Sequence, residues 1–187
     1  MYETSDIRKG LKVKMDGYPW IVVDFQFVKP GKGTAFTRVR LKNLKTGSVL
    51  ERTFKTGEKL DEANIEEHHA QYLYTDGEQY HFMDQESYEQ ITIQKNAMGG
   101  SENFLMENME VTILFYENAP MNVELPTFIE AEIVYSEPGK KGDTATGATK
   151  QATLNTGATV LVPLFINQGD FIKVDTRDGQ YVERVKK

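Results

Sequence analysis

Three neighbouring stretches decide the fold of this chain: Trp20-Ile-Val-Val-Asp-Phe-Gln-Phe-Val28, Lys29-Pro-Gly-Lys-Gly33 and Phe36-Thr-Arg-Val-Arg-Leu-Lys-Asn-Leu44. The first is rich in β-branched and aromatic residues, and the last alternates along its length. Two such runs joined by a Pro-Gly-x-Gly segment predict a β-hairpin. Pro30 fixes one backbone angle, and Gly31 and Gly33 permit left-handed geometry, so we expect a short tip that exposes Lys32.

The second strand of this predicted hairpin has two different faces. One face carries Thr37, Val39 and Leu41, and the other carries Arg38, Arg40 and Lys42. Side chains alternate between the two faces of a strand, so we expect the three cations to share one face. The aromatic residues expected to fill the core of this region are Trp20, Phe25, Phe27, Phe36 and Phe54.

The rest of the chain predicts short strands separated by turns. Strand-like runs occupy residues 49–54, 71–74, 79–83, 111–116, 128–135, 159–162 and 171–174. Turn signals lie between them, for example Asp16-Gly17, Asp76-Gly77 and Asp178-Gly179. Spacing of this kind predicts an all-β protein made of small barrels or sandwiches. The best helix candidate is residues 102–108, with Ser101 as its N-cap.

Changes in composition predict three domains. Residues 58–70 are polar and contain few strand-forming residues, and the Pro126 region precedes a new strand. We therefore expect domains at residues 1–64, 65–127 and 128–187, each of the size of an SH3-like or OB-type barrel.

Charge is unevenly distributed along the 187 residues, although the net charge is −6. Residues 1–64 carry 13 basic and 8 acidic residues, while the remainder carries 9 and 20. Residues 29–59 alone contain nine basic and two acidic residues. Such asymmetry indicates a nucleic-acid contact for the basic part. The acidic remainder argues against coating a long duplex, so we expect contacts with RNA at selected points.

The composition excludes several classes of protein. The chain has no cysteine, which removes disulfides and thiol chemistry, and its only histidines are His68, His69 and His81. It contains no nucleophile elbow, nucleotide-binding loop or dinucleotide fingerprint. It also lacks a membrane-length apolar run and a signal-peptide pattern. We expect a cytoplasmic binding protein without metal or cofactor, and not an enzyme.

A second stretch of interest is residues 138–150, which are rich in Gly, Thr and Lys. Their backbone N–H and hydroxyl groups could line a phosphate backbone. A plain polar loop has the same composition, so composition alone leaves both interpretations open.

Four blocks, in order, resemble the bacterial translation elongation factor P family. They are Phe27-Val-Lys-Pro-Gly-Lys-Gly33 with Ala35-Phe36 and Arg38-Val39; Tyr72-Leu-Tyr-Thr-Asp-Gly-Glu78 with Tyr80-His-Phe-Met83; Gly142-Asp-Thr-Ala145; and Lys150-x-Ala152, Gly157, Val160, Val162-Pro163, Ile166 and Gly169-Asp170. Each block is weak alone, but together they cover essentially the whole chain and are highly specific. A close paralogue, the elongation factor P-like protein, shares this architecture; the Pro-Gly-Lys-Gly tip and the Gly-Asp-Thr block favour the standard factor.

The resemblance implies a fold and a function. The implied fold is a tRNA-shaped monomer with an SH3-like (KOW-type) domain followed by two OB-type domains. The family binds the 70S ribosome beside the peptidyl-tRNA and relieves stalling at consecutive prolines, where prolyl-tRNA reacts slowly.

The resemblance also implies site residues. Lys32 matches the tip residue that reaches the peptidyl-transferase centre, and a lysine-modifying enzyme extends that residue in many members, commonly by β-lysylation. The other implied contacts to ribosome or tRNA are Lys29, Pro30, Gly31, Gly33, Arg38, Arg40 and Lys42. A C-terminal loop of Gly142, Asp143 and Thr144 would lie near the exit-site codon. Tyr181 and Arg184 are either RNA contacts or a packed tyrosine and a solvated arginine.

Two other hypotheses remain. A general single-stranded RNA-binding β-barrel protein would use a basic groove and aromatic stacking; the acidic remainder of the chain argues against it. A hydrolytic enzyme is a more distant alternative, because no nucleophile–base set is visible.

Overall fold

The computed structural model describes residues 1–139 and 147–187, which form sixteen strands. The strands are β1 (Tyr2–Glu3), β2 (Lys12–Met15), β3 (Tyr18–Val28), β4 (Phe36–Asn43), β5 (Val49–Lys55), β6 (Lys59–Glu62), β7 (Ile65–Thr75), β8 (Gln79–Asp84), β9 (Gln90–Gln94), β10 (Glu110–Tyr116), β11 (Ala119–Glu124), β12 (Phe128–Ser136), β13 (Thr149–Leu154), β14 (Thr159–Pro163), β15 (Phe171–Asp175) and β16 (Gln180–Val185). Three 3₁₀ turns occupy Thr4–Asp6, Lys95–Ala97 and Ser101–Phe104. The strand content confirms the predicted all-β fold class.

The strands form three sheets. The first has six strands in the order β1-β6-β2-β3-β4-β5. The second has the order β11-β10-β7-β8-β9, and the third has the order β14-β13-β12-β15-β16. Most neighbouring strands follow each other in the chain, which short turns allow. The turn between β2 and β3 is one of these: Asp16 and Gly17 both have positive φ, at 54° and 80°.

By its contacts the chain divides into two compact units. One comprises Met1–His68 with Ile113–Asn122, and the other comprises His69–Thr112 with Val123–Lys187. The three-domain division at residues 64 and 127 stays a prediction.

The core of the first unit confirms part of the aromatic prediction. Trp20 and Phe54 are buried, and they pack with a cluster that also includes Ile7, Leu11, Val13, Val22, Val39, Leu41 and Leu60. Phe36 is only half-buried, and the prediction was wrong for Phe25 and Phe27, which are 40% and 59% exposed.

A β-bulge in β3 explains where these two phenylalanines lie. Val22 pairs with Leu41, but Asp24 pairs with Arg40, so Val23 is an extra residue without a partner in the register. An extra residue reverses the alternation of side chains beyond it. Phe25 and Phe27 therefore lie on the same face as Val22, although neither belongs to the core cluster.

The second unit contains the core of the C-terminal sheet and a group of aromatic rings. The C-terminal core consists of Ile129, Ala131, Ile133, Ala152, Leu154, Ala158, Val160, Val162, Ile166, Ile172 and Val174. The rings of Tyr72 and Phe82 lie 5.5 Å apart, and those of Tyr72 and Tyr80 lie 6.3 Å apart. These three aromatic residues of the second sequence block are buried, so they support the fold.

The predicted helix at residues 102–108 is wrong. Only Ser101–Phe104 forms a single 3₁₀ turn, and Gly100 is its N-cap instead of Ser101. Leu105 is extended and Asn108 has a φ of 63°, so the chain leaves helical geometry after one turn. Within residues 1–139 and 147–187, no helix is long and apolar enough to span a membrane.

Strands occupy most of the polar stretch at residues 58–70, and they are interrupted only near residue 64. This stretch contains β6 and the first half of β7. Backbone pairing holds β6, because Leu60 and Lys59 pair with Tyr2 and Glu3 in antiparallel register. Most side chains here are exposed, so polar composition hid a strand whose hydrogen bonds come from the backbone.

Candidate functional site

The predicted hairpin is present and extends past the core of the first unit. Beyond the bulge, β3 and β4 pair from Asp24 opposite Arg40 to Val28 opposite Phe36. We call residues 24–40 the hairpin arm and residues 29–35 the tip loop. A third strand, β5, pairs with β4 as far as Lys55 opposite Phe36. The arm is therefore part of a three-stranded segment of the sheet.

The tip loop uses its two glycines differently. Gly33 has a φ of +108°, a backbone conformation that L side chains rarely adopt. Gly31 is not among the positive-φ glycines, and a Cβ placed on it would meet no heavy atom of the described residues within 4 Å. The backbone geometry of the loop therefore requires glycine at position 33. At position 31 the backbone does not require glycine, and there is space for a Cβ atom.

Lys32 is exposed at the tip of this loop. Its ammonium group has no hydrogen-bond or ion-pair partner among residues 1–139 and 147–187. By contrast, Lys9, Lys12 and Lys14 of the same unit each form an ion pair with a carboxylate at 2.9–3.3 Å. The Lys32 ammonium is thus available to an anion outside the protein.

The outer face of β4 is basic, as the alternation predicted. Arg38, Arg40 and Lys42 are exposed, while Val39 and Leu41 on the opposite face are fully buried. The Arg38 guanidinium lies 3.4 Å from the carboxylate of Glu51, and both side chains are about half exposed. An exposed pair of this kind is weak, so it leaves the arginine able to exchange partners.

The strand β5 adds two cations that the sequence analysis did not single out. Lys55 on β5 pairs with Phe36 and is exposed. Arg52 lies opposite Val39, and its guanidinium is 5.8 Å from the centre of the Phe54 ring. The excess of basic residues in 29–59 was the available signal, and strand pairing is needed to identify which face each cation occupies.

Asp24 is an acidic residue of the hairpin arm. The Lys9 ammonium lies 3.3 Å from its carboxylate. The hydrogen bond from Lys9, with further help from the backbone N–H of Phe25, holds the pKa of Asp24 below its ordinary value. The carboxylate is therefore charged at neutral pH and has a lysine partner, which limits its repulsion of an approaching anion.

The C-terminal candidates lie in the second unit. Tyr181 on β16 is half-buried and packs against the C-terminal core. Arg184 is exposed, and its guanidinium lies 5.6 Å from the centre of the exposed Phe165 ring. The predicted loop residues Gly142, Asp143 and Thr144 lie outside the described residues.

The second unit also contains a cavity of about 290 Å³. It is lined by His69, Gln85, Val111, Thr112, Leu125 and Pro126, together with the carboxylates Glu110 and Glu124.

In the part of the chain that the structure describes, no group of three or more His, Asp or Glu side chains is arranged to hold a metal ion.

Comparison with known protein families accounts for nearly all of the chain. The elongation factor P (EF-P) KOW-like domain matches residues 3–60, the EF-P OB domain matches 65–123, and the elongation factor P C-terminal domain matches 129–184. The chain belongs to the elongation factor P family. Residues 3–60 and 65–123 are thereby identified as matching KOW-like and OB domains.

Individual relatives agree with this assignment over their full length. The chain is 53% identical to elongation factor P of Caldanaerobacter subterraneus subsp. tengcongensis over 99% of this chain and 100% of that protein. It is 52% identical to elongation factor P of Clostridioides difficile, again over 99% of this chain and 100% of the relative. Membership of the elongation factor P family makes the protein a translation elongation factor.

Two solved structures share part of the fold. The translation initiation factor 5A from Methanococcus jannaschii matches with a TM-score of 0.53 and 26% identity, over 64% of this chain and 88% of its own. A translation initiation factor 5A family protein from Naegleria fowleri matches with a TM-score of 0.50 over 66% of this chain and 96% of its own. Its identity of 15% supports likeness of fold alone.

Proposed function

We propose that this elongation factor P family member binds the 70S ribosome beside the peptidyl-tRNA. There it stimulates peptide-bond formation and relieves stalling at consecutive prolines through Lys32. The observation that carries the proposal is the Lys32 ammonium, which is exposed and unpartnered among the described residues at the tip of a basic arm.

The chemistry of the stalled reaction fits a positioning factor. Proline is a poor nucleophile in peptide-bond formation, and its ring restricts the nascent chain. A bound cation that orients the peptidyl-tRNA would lower the entropic part of the barrier. Such a role needs reach and positive charge, which Lys32 supplies, and it requires no acid–base pair on the protein.

The other proposed contacts support the tip. Lys29, Arg38, Arg40 and Lys42 would contact phosphates, which fix register on RNA without reading its sequence. Pro30, Gly31 and Gly33 would let the loop backbone approach RNA closely. In the C-terminal part of the chain, Gly142, Asp143 and Thr144 would lie near the exit-site codon, with Tyr181 and Arg184 as further RNA contacts.

Lys32 is also the proposed modification site. A lysine-modifying enzyme would extend the side chain, for example by β-lysylation, which lengthens its reach and adds an amine. The exposed position of Lys32 supports access by such an enzyme. The protein would act as a cytoplasmic monomer and would itself carry out no catalysis.

The test is synthesis of a Pro-Pro-Pro reporter in a reconstituted bacterial translation system. The factor is omitted, or added as wild type, Lys32→Ala or Lys59→Ala. Lys59 is an exposed lysine on β6, so its variant removes the same charge away from the tip. We expect wild type and Lys59→Ala to relieve the stall and Lys32→Ala to fail.

If the wild type fails to relieve the stall, the assay is repeated with protein purified from its native host. Rescue by that protein alone would mean that Lys32 acts only after modification. Failure there too, with tight and strongly salt-dependent binding to free single-stranded oligonucleotides, would contradict the proposal and support a general RNA-binding protein.

A further inference from the structure

The first unit contains two segments that do not belong to the first sheet. They are residues 65–68, which begin β7, and the hairpin at residues 113–122, which joins β10 to β11. The core cluster of the unit is built from residues between 2 and 60, so both segments lie outside that cluster. Contacts other than those of this apolar core therefore set the angle between the first sheet and the two segments.

Two ion pairs on one face of β2 make such contacts. Lys12 and Lys14 are two residues apart, so their side chains share the face opposite the buried Val13. The Lys12 ammonium lies 3.0 Å from the carboxylate of Glu67 on β7. The Lys14 ammonium lies 2.9 Å from the carboxylate of Glu117, in the turn between β10 and β11. One strand of the first sheet therefore reaches both segments.

The Lys14–Glu117 pair has a third polar group beside it. The hydrogen bond with Glu117 raises the pKa of Lys14, and the same bond lowers the pKa of Glu117. The hydroxyl of Tyr116, which is buried, adds to both shifts. In the other pair, only 28% of the Lys12 side chain is exposed. Both lysines therefore lie against the protein in a defined contact.

The distribution of charge favours these contacts. Both lysines come from residues 1–64, which carry 13 basic and 8 acidic residues. Both glutamates come from the remainder of the chain, which carries 9 basic and 20 acidic residues. Opposite charges attract, so the asymmetry that indicates a nucleic-acid contact also draws the two parts of the chain together.

The chain itself supplies a further point of attachment. Between β6 and β7 it passes through Ala63, which is buried and donates its backbone N–H to the carbonyl oxygen of Lys12 at 3.4 Å. One point of contact leaves a swivel, and two leave a hinge. Glu117 supplies a third point from a different strand. Loss of the Lys14–Glu117 pair should therefore release a hinge motion and leave both sheets folded.

The orientation of β2 determines where the arm presents Lys32. Ile21 on β3 pairs with Lys12, so the two strands move as parts of one sheet. The arm continues for seven residues from Ile21 to Val28, a length of about 23 Å. A rotation of about 10° at the base would move the tip by about 4 Å, whereas a misplacement of about 1 Å can already cost a large factor in rate.

We propose that Lys12 and Lys14 are positioning residues for Lys32. Their pairs with Glu67 and Glu117 hold the first sheet in one orientation, and they thereby set the direction in which the arm presents its tip. This inference rests on the proposed function, because it is there that Lys32 acts on the peptidyl-tRNA. A factor that is already ordered binds more tightly, since the ribosome does not have to supply the free energy of ordering it.

The first test reverses the charges of the Lys14–Glu117 pair, singly and together. Lys14→Glu and Glu117→Lys each place two like charges side by side, and the double variant restores an opposite pair. The two single changes respectively lower and raise the net charge by the same amount. A direct contact of either side chain with RNA would therefore give opposite effects, whereas loss of the pair impairs both single variants.

The measured quantity is the factor concentration that gives half-maximal rescue of the Pro-Pro-Pro reporter. Each single variant should raise it about fivefold, the upper range for an exposed ion pair, and the double variant should return to within about twofold of wild type. The rate at saturating factor should stay within about twofold in all of them, because the ribosome then selects the active orientation and Lys32 is intact.

The matched control is an ion pair inside a single sheet of the second unit. The Lys173 ammonium lies 3.2 Å from the carboxylate of Glu183, and the two side chains are 34% and 61% exposed. These residues face each other on β15 and β16. Lys173→Glu should leave the half-maximal concentration within about twofold of wild type, since an exposed pair inside one sheet does not orient the arm.

The second test measures the orientation itself. The chain has no cysteine, so cysteines that replace Val49 and Ala119 carry the only spin labels. Both positions are exposed, the first on β5 and the second on β11. Pulsed electron paramagnetic resonance should give one narrow distribution of label distances without further substitution. Lys14→Glu should broaden or shift it, and the double reversal should restore it.

The outcomes separate this inference from the proposed function. Opposite effects of the two single variants, no recovery in the double variant, or unchanged label distances would overturn the inference. If wild type rescues the reporter and both single variants equal it, only the inference fails. If wild type does not rescue the reporter in either preparation, the proposed function fails and the positioning role fails with it.

Discussion

The two ends of the β3–β4 hairpin differ in what their side chains contact. At the base, Val22 and Leu41 face each other and are at most 1% exposed. At the outer end, Phe27 and Lys32 are exposed and lack any described ring, cation or ion-pair partner. The strands and the ladder are continuous apart from the bulge at Val23, so the difference lies in what the side chains contact.

This difference predicts that stability and activity are separable along the hairpin. Apolar area removed from water at the base stabilises the folded state. Exposed side chains of the arm contribute little to the free energy of unfolding. Substitutions at the base should therefore change stability, and those at the tip should change activity without changing stability.

The largest expected effect is that of Leu41→Ala at the base of the hairpin. Removal of a fully buried leucine side chain leaves a cavity and should lower the free energy of unfolding by about 3 kcal/mol. Chemical denaturation measures this change. Its control is the adjacent Lys42→Ala, which removes an exposed side chain and should stay within about 0.5 kcal/mol of wild type. Similar losses in both variants would show that the base is not the main source of stability.

Asn43→Ala should have the second largest effect. Asn43 is buried, and its Oδ1 accepts hydrogen bonds from the backbone N–H groups of Lys45 at 2.8 Å and Thr46 at 3.0 Å. Loss of these bonds leaves two turn N–H groups without that acceptor and should cost about 1–2 kcal/mol. The measurement is again chemical denaturation. Asn43→Asp keeps the acceptor oxygen, so a loss as large as that of Asn43→Ala would argue against this explanation.

Gly33→Ala should change the tip of the hairpin alone. A side chain at a φ of +108° is strained, and the tip loop should relax to another conformation. The global stability should fall by less than about 1 kcal/mol, because the loop lies away from the core. Rescue of the Pro-Pro-Pro reporter should fall severalfold more than with Gly31→Ala, whose backbone has no positive φ. Equal activity of the two variants would contradict the requirement for glycine at position 33.

The smallest expected effect concerns the pair that joins Asp24 of the arm to Lys9. The pKa of Asp24 lies below 3.8, chiefly because of the hydrogen bond from Lys9. The carboxyl is more acidic in the folded state, so the pair stabilises the fold above the unfolded pKa. That contribution is lost as the pH falls through the folded pKa.

An NMR titration of the side-chain carboxyl measures this effect. Lys9→Ala should raise the pKa of Asp24 towards 3.8, and the backbone N–H of Phe25 should keep part of the depression. An unchanged pKa in the variant would exclude Lys9 as its cause. The pair is exposed, so its effect on neutral-pH stability should be close to zero.

The sequence predicted the strands of the site well, because alternation is a local property. The division that places Arg38, Arg40 and Lys42 on one face and Val39 and Leu41 on the other follows from residues two apart. The exposed lysine follows from its flanking glycines. These features depend only on neighbouring residues, so one sequence is enough to predict them.

The sequence did not predict where the core ends along the hairpin. Phe25 and Phe27 have the composition of core residues, and only the bulge at Val23 and the pairing with β4 show which face they occupy. Their exposure depends on what other strands cover, which is a tertiary property. The helix prediction for residues 102–108 was wrong because an N-cap signal does not determine how far a helix continues. The structure has only a 3₁₀ turn at Ser101–Phe104.

The central claim is that Lys32 acts in the reaction and not in the fold. The most direct measurement is the single-turnover rate of Pro–Pro bond formation on ribosomes that carry peptidyl-prolyl-tRNA, at saturating factor. The assay uses the form of the factor that rescues the reporter. Lys32→Ala should bind these ribosomes and keep the melting temperature of wild type within about 2 °C, yet fail to accelerate the reaction. Acceleration equal to that of wild type, or loss of the fold in Lys32→Ala, would contradict the claim.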